Sequence, residues 1–187
     1  MKQISEHIFN ACIKAIKSID DKTLEDIYGF SFYVYDENDD PRYPTLTIGF
    51  NTNTNFKNEI DAAWDESEAK WNYAFWLQNE ITVLGNEEDK EGRKIIEDWI
   101  SSIGLNYTDQ DEEKDFDACM EKGGEITENF VSILVETVRE IHKAQITTKP
   151  ILIHELEYYD QIRDQNIEAN GKERVIEFTN WINEMYN

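Results

Sequence analysis

Basic side chains are scarce in this sequence. It has 18 lysines and arginines against 40 aspartates and glutamates, and the net charge is −22 over 187 residues. A field of that sign repels the phosphate backbone of nucleic acids and the surface of anionic membranes, and the few basic residues form no cluster. We therefore expect binding to neither, and we expect the charge to attract a basic protein partner.

Long apolar runs and cysteines are also rare. Without an apolar run long enough for a bilayer, no membrane-spanning helix is expected. The first stretch, MKQISEHIFNACIKAIKSID, contains acids and lacks the apolar centre of a secretory signal, so we expect a cytoplasmic protein. The two cysteines, Cys12 and Cys119, form no C-x-x-C pair and are expected to be free thiols.

Sequence signatures of catalysis are missing as well, with neither a G-x-S-x-G elbow nor a phosphate-binding glycine loop. The densest set of possible metal ligands is HELEYYD, with His154, Glu155 and Glu157. A zinc helix of the H-E-x-x-H type needs a second histidine, and strand alternation would point His154 and Glu155 to opposite sides. We predict no enzyme activity, metal or cofactor, and keep a metal-dependent hydrolase at 154–160 as an alternative.

Hydrophobic spacing predicts an α+β fold for a single domain, residues 1–187. Two aromatic and β-branched segments around a polar turn predict an antiparallel hairpin, and the apolar run after Pro150 predicts a late strand. The expected fold is a small antiparallel sheet packed by four or more helices. The predicted strands are 28–35, 45–50 and the 150–159 region, and the main predicted helices are 4–19, 95–103, 125–145 and 175–185.

Three of the five tryptophans lie close together, at Trp64, Trp71 and Trp76, the last two in the stretch KWNYAFW. On a helix, Trp64 and Trp71 would share one side with Ile60, which is typical of a core stripe. Trp76 falls off that stripe by a third of a turn or more. We therefore expect Trp76 to be the tryptophan of this group that reaches a surface.

The spacing Lys70-Trp71-x-x-Ala74-x-Trp76 resembles the basic-Trp-Ser-Pro-Ala-Glu-Trp signature of a bacterial family, domain of unknown function 4303. The early hairpin segment that ends in an Asn-Thr step, and the later PILIHELEYYD followed by Asn170, are similar to that family in the same order. This sequence has Asn-Tyr where the signature has Ser-Pro. The resemblance implies a small bacterial protein of the immunity type, which binds a toxin domain and blocks it.

The net negative charge, the lack of catalytic motifs and the resemblance to domain of unknown function 4303 together predict a non-enzymatic inhibitor. Its acidic surface is expected to contact a basic toxin domain. An acidic protein that mimics nucleic acid is a further alternative, and the oligomeric state stays open. The densest acidic run is 109–117, and the run 36–40 is the second choice. The predicted partner-binding residues are Asp109, Asp111, Glu112, Glu113, Asp115, Asp117, Asp36, Glu37, Asp39, Asp40 and Trp76.

Overall fold

A computed structural model describes residues 2–185. Within this range it contains one four-stranded sheet, in the order β3-β2-β1-β4, surrounded by α-helices. The α+β class and a small sheet packed by helices are thereby confirmed. The strands are β1 (Ile27–Asp36), β2 (Pro44–Thr52), β3 (Thr82–Leu84) and β4 (Ile151–His154).

Nine α-helices occur among the described residues, and none of these nine is long and apolar enough to cross a membrane. Short 3-10 turns at Ile60–Ala62 and Tyr73–Phe75 interrupt the aromatic region. The helices are α1 (Lys2–Lys17), α2 (Asp21–Asp26), α3 (Asn53–Glu59), α4 (Glu66–Trp71), α5 (Lys90–Ser102), α6 (Asp109–Lys114), α7 (Phe116–Lys143), α8 (Asp160–Asn170) and α9 (Ile176–Met185).

The sheet is mixed, and the prediction of an antiparallel sheet was wrong for the late strand. The hairpin β1–β2 is antiparallel, as predicted, whereas β4 pairs parallel to β1, with Phe30 opposite Ile151 and Tyr33 opposite His154. A parallel pair requires a crossover, and here five helices and β3 lie between β2 and β4. The short strand β3 extends the sheet beyond β2 and was not expected.

One face of the sheet forms the larger core. Phe30, Phe32 and Val34 alternate along β1 and are buried together with Leu46 and Ile48 of β2. Apolar residues of α1, α5 and α7 cover this face, and their helical spacing is the one that the sequence predicted.

The opposite face is covered by the tryptophan region and by α9. Trp71 and Trp76 are 6% and 5% exposed and belong to a second apolar cluster with Leu152, Phe178 and Trp181. The expectation for Trp76 was therefore wrong, because the chain leaves the helix after Trp71 and a 3-10 turn directs the Trp76 ring onto the sheet beside Gly29.

Trp64 is the exposed tryptophan of this group, with 94% of its surface accessible, so the predicted core stripe through Trp64 was also wrong. The helix needed for that stripe does not form, since residues between Ala62 and Glu66 lie outside any helix. A stripe drawn at helical spacing therefore joined residues that belong to separate short elements.

Helix α7 begins nine residues before the predicted start at 125 and includes the glycine pair Gly123-Gly124. At Gly123 the helix touches the turn of the hairpin, where an added Cβ would lie 2.8 Å from Pro41 Cβ. The glycine thus serves close packing of helix and hairpin, although it lowers helix propensity.

Both edges of the sheet are completed by asparagine side chains. On the outer side of β4, the Asn166 amide accepts a bond from Ile153 N at 2.8 Å and donates to Ile153 O at 2.9 Å. Asn170, one turn later on α8, makes the same pair of bonds to Ile151. Beyond the end of β3, Asn79 bonds Phe50 N and O of β2 in the same way. Each amide replaces a neighbouring strand.

The asparagine contacts at the edge of β4 predict that a single substitution lowers the stability of the fold considerably. Asn166→Ala leaves the buried N–H and C=O of Ile153 without partners, so it should lower the free energy of unfolding by about 2–3 kcal/mol. Urea unfolding measures the difference. The control Asn129→Ala removes an amide of the exposed surface of α7, and an equal loss in both variants would contradict the proposed role.

The tryptophans give a second test of the fold. Trp76→Ala should lower the free energy of unfolding by about 3–5 kcal/mol, because it leaves a cavity between the sheet and the 3-10 turn at Tyr73–Phe75. Trp64→Ala should change stability by about 0.5 kcal/mol or less and should remove the emission that acrylamide quenches most readily. Similar losses of stability for both variants would show that the assignment of buried and exposed rings is wrong.

Candidate protein-binding cleft

The two predicted acidic runs lie side by side and meet at Arg42, in the turn of the hairpin. The Arg42 guanidinium bonds Asp40 through Nε and Nη2, at 2.8 and 2.6 Å, and its Nη1 lies 2.5 Å from Asp109. The same group lies over the Tyr107 ring, 5.2 Å from the centroid. We call residues 36–40 with 109–117 the acidic surface.

Several carboxylates of the acidic surface already have partners within the chain. Glu37 pairs with Arg93 and accepts a bond from the Glu87 N–H. Asp111 forms a capping box with Thr108 at the start of α6, and Asp115 caps α7 by accepting from the Ala118 N–H. These three side chains therefore have a structural role within the chain that does not depend on a partner.

Hydrogen bonds lower the pKa of two of these acids. The Arg42 guanidinium holds the pKa of Asp40 below its ordinary value, and the Thr108 hydroxyl does the same for Asp111. Of the remaining predicted acids, Glu112 is half-buried, whereas Glu113 and Asp117 are exposed.

Asp36 and Asp39 line a cleft of about 990 Å³. It forms because β4 ends opposite Tyr33, so the last residues of β1 extend past their neighbour. The cleft is rich in tyrosines and acids: Tyr33, Val34, Tyr35, Asp36, Asp39, Thr47, Asn72, Tyr73, Ala74, Gln78, Glu80, Thr127, Glu155, Leu156, Glu157, Tyr158 and Tyr159.

A ladder of stacked rings forms one wall of the cleft. Tyr33 stacks between Tyr35, at 5.6 Å between centroids, and Tyr73, at 4.6 Å with an angle of 12° between the rings. Tyr73 in turn lies 5.1 Å from the His154 ring. Burial raises the pKa of Tyr73 to about 12, with the negative charge of Glu80 contributing less. Burial raises the pKa of Tyr33 as well, so the phenols of Tyr33 and Tyr73 are neutral at ordinary pH.

Strand alternation explains the ladder. Tyr33 and Tyr35 point away from the core face that holds Phe32 and Val34, and Thr47 of β2 lies opposite Tyr33 in register. Thr47 is 3% exposed, and its Oγ1 has no hydrogen-bond partner among residues 2–185. A buried hydroxyl without a partner lines the cleft beside the rings.

Two acids of the cleft, Asp36 and Glu155, lie in surroundings that disfavour their ionised form. Burial raises the pKa of Asp36, and the negative charges of Asp40, Asp39 and Glu155 raise it further. Burial also raises the pKa of Glu155, opposed by a hydrogen bond from Gln165. Asp36 Oδ1 is buried and accepts no hydrogen bond from the described part of the chain. Both groups would gain from a nearby cation.

The alternative site at 154–160 does not form one cluster. His154 is buried, its Nδ1 lies 3.0 Å from the Tyr158 hydroxyl, and burial lowers its pKa to about 3. Glu155 instead turns to Gln165, 2.8 Å away. Between residues 2 and 185, no group of three or more His, Cys, Asp or Glu side chains is arranged to hold a metal ion.

Sequence reasoning identified Asp36 and Asp39 but missed the tyrosines and Thr47. The signal was present in β1, where Ser31, Tyr33 and Tyr35 alternate with apolar residues, but it could not show that a neighbouring strand ends early. Glu155 and Glu157 were noted as possible metal ligands, and the structure places them at the cleft.

Comparison with protein-family models, with curated proteins and with solved structures finds no match to this chain. The resemblance to domain of unknown function 4303 therefore stays a prediction.

The raised pKa of Asp36 predicts a pH-dependent effect of Asp36→Asn. An acid whose pKa is raised on folding destabilises the fold at neutral pH, where the same acid in the unfolded chain is ionised, and this penalty vanishes below the pKa of the unfolded chain. Asp36→Asn should therefore raise the melting temperature at pH 7 and leave it unchanged near pH 3.

Differential scanning calorimetry at several pH values measures this difference. Glu113→Gln removes the same charge from an exposed part of α6 and serves as the control. An equal gain from both variants at pH 7 would mean that total charge, and not the environment of Asp36, sets the effect.

Proposed function

We propose that this chain is a non-enzymatic binding protein of the immunity type, which captures a basic toxin domain in the cytoplasm and blocks it. The observation that carries this proposal is the cleft, where stacked tyrosines lie together with the partly buried acids Asp36 and Glu155, and no lysine or arginine among residues 2–185 is part of its lining. The net charge of −22 and the resemblance stated above support the same function.

The acidic surface and the cleft would act in sequence during binding. Exposed acids such as Glu113 and Asp117 would steer a basic partner into contact and raise the association rate. Because such charges are solvated, they add little to the final affinity.

The cleft would supply most of the affinity. Its rim carries Leu156, which is 82% exposed, and Tyr159, which is 40% exposed, and both would lose water on contact with a partner. Aromatic and desolvated groups of this kind dominate binding energy at protein interfaces. Inhibition would follow by occlusion, since the basic surface of the toxin would be covered by this protein.

The proposal predicts protection of cells that express both proteins. The protein encoded by the neighbouring gene should stop growth alone, and this chain should restore growth and purify with it as a complex. Asp36→Asn with Glu155→Gln should weaken the complex about tenfold or more, because two desolvated charge contacts are lost.

Glu113→Gln with Asp117→Asn is the matched control, since it removes the same two charges outside the cleft. This pair should slow association and leave the dissociation rate unchanged. If a toxic neighbour and this folded chain form no complex, and growth is not restored, the proposed pairing is wrong.

A further inference from the structure

The chain itself shows how it binds an arginine. Arg93 lies over the Tyr43 ring, 4.0 Å from the centroid, while its guanidinium pairs with Glu37. Arg42 combines the Tyr107 ring with the carboxylates of Asp40 and Asp109. In both places a guanidinium lies over a tyrosine ring and donates to carboxylates.

The cleft contains the same components without the arginine. Tyr33 has a ring on each side, whereas Tyr35, at the end of the ladder, stacks on Tyr33 alone among the aromatic rings of residues 2–185. Asp36 follows Tyr35 directly, and Glu155 lines the same cavity from the segment after β4.

Three residues that line the same cleft carry hydrogen-bond acceptors, and they come from three parts of the fold. Asp36 ends β1, Thr47 lies on β2 and Glu155 follows β4, and all three side chains line the cleft. Asp36 Oδ1 and Thr47 Oγ1 are buried without hydrogen-bond partners in the described chain. A buried acceptor without a donor is costly, so this arrangement favours a ligand that brings several N–H groups.

We infer that the cleft binds an arginine side chain of the partner, whose guanidinium stacks on Tyr35 and donates to Asp36, Glu155 and Thr47. This inference rests on the proposed function for the identity of the partner, but the arginine site itself can be tested without one. A guanidinium carries five N–H donors in a plane and is weakly hydrated. A lysine ammonium is a strongly hydrated point charge, which cannot stack and reach three separated acceptors together.

The test uses the full chain with tyrosine rings labelled for NMR and three small probes. These probes are the N-acetyl methylamides of arginine, lysine and citrulline, with citrulline as the uncharged analogue of arginine. Arginine should bind several-fold more tightly than lysine and should shift the Tyr35 ring signals, which Tyr35→Phe identifies. Citrulline should produce no shift at equal concentration.

Two variants with equal charge locate the site. Asp36→Asn with Glu155→Gln should weaken arginine binding about tenfold or more, since two charged acceptors are lost. Glu25→Gln with Glu91→Gln removes two exposed charges outside both the cleft and the acidic surface and should leave arginine binding unchanged. Tyr35→Leu provides a further variant that keeps all charges and should also weaken binding, and thermal unfolding establishes that each variant is folded.

Equal binding of lysine and arginine would overturn the inference, as would an equal loss in both charge pairs or no binding of the arginine probe. The outcome is separate from that of the co-expression experiment. Arginine binding without rescue of growth would keep the arginine site and reject the toxin partner. Rescue without arginine binding would keep the proposed function and reject the arginine site.

Discussion

The asparagine amides at the two edges of the sheet are the contacts on which the rest of the structure depends. A sheet of four strands, two of them very short, leaves a large share of its backbone groups at an edge. Asn166 and Asn170 satisfy those of β4, and Asn79 satisfies those of β2 beyond the end of β3. Because the two asparagines on α8 are one turn apart, they match alternate residues of a strand, and this match fixes the helix against the sheet.

The same contacts determine the position of the cleft. Since α8 holds β4 at Ile151 and Ile153, the strand ends opposite Tyr33, and the segment from Glu155 to Tyr159 leaves the sheet there. On the β4 side, the end of β1 is left without a neighbouring strand, whereas β2 still pairs with it on the other side. At this open edge, tyrosines from one face of the sheet and Asp36 line the same cleft. A longer β4 would cover Asp36 and fill the cavity with backbone. The cleft therefore results from a mismatch in strand length, and the buried asparagines hold β4 where it produces that mismatch.

The sequence predicted the local elements better than their arrangement. The helices α1, α5 and α9 and the hairpin follow from hydrophobic period and turn residues, which act over a few neighbouring positions. The direction of β4 and the burial of Trp76 depend on contacts between distant parts of the chain, and no local pattern encodes them. The acidic runs were recognised by composition, yet only the structure shows that Arg42 joins them and that Asp111 and Asp115 act as helix caps. The tyrosine ladder was visible as alternation in β1, but its neighbours Tyr73 and Glu155 come from other segments.

The parallel pairing of β1 with β4 also has a kinetic consequence. Phe30 and Ile151 are separated by most of the chain, so this pair closes a very long loop, whereas the hairpin closes a short one. Contacts between such distant residues slow folding. During synthesis the hairpin can form while the later helices are still in the ribosome, but β4 can dock only after they have emerged. A nascent chain would thus have its acidic hairpin turn long before it has a cleft, because the side of the cleft that contains Glu155 is synthesised last.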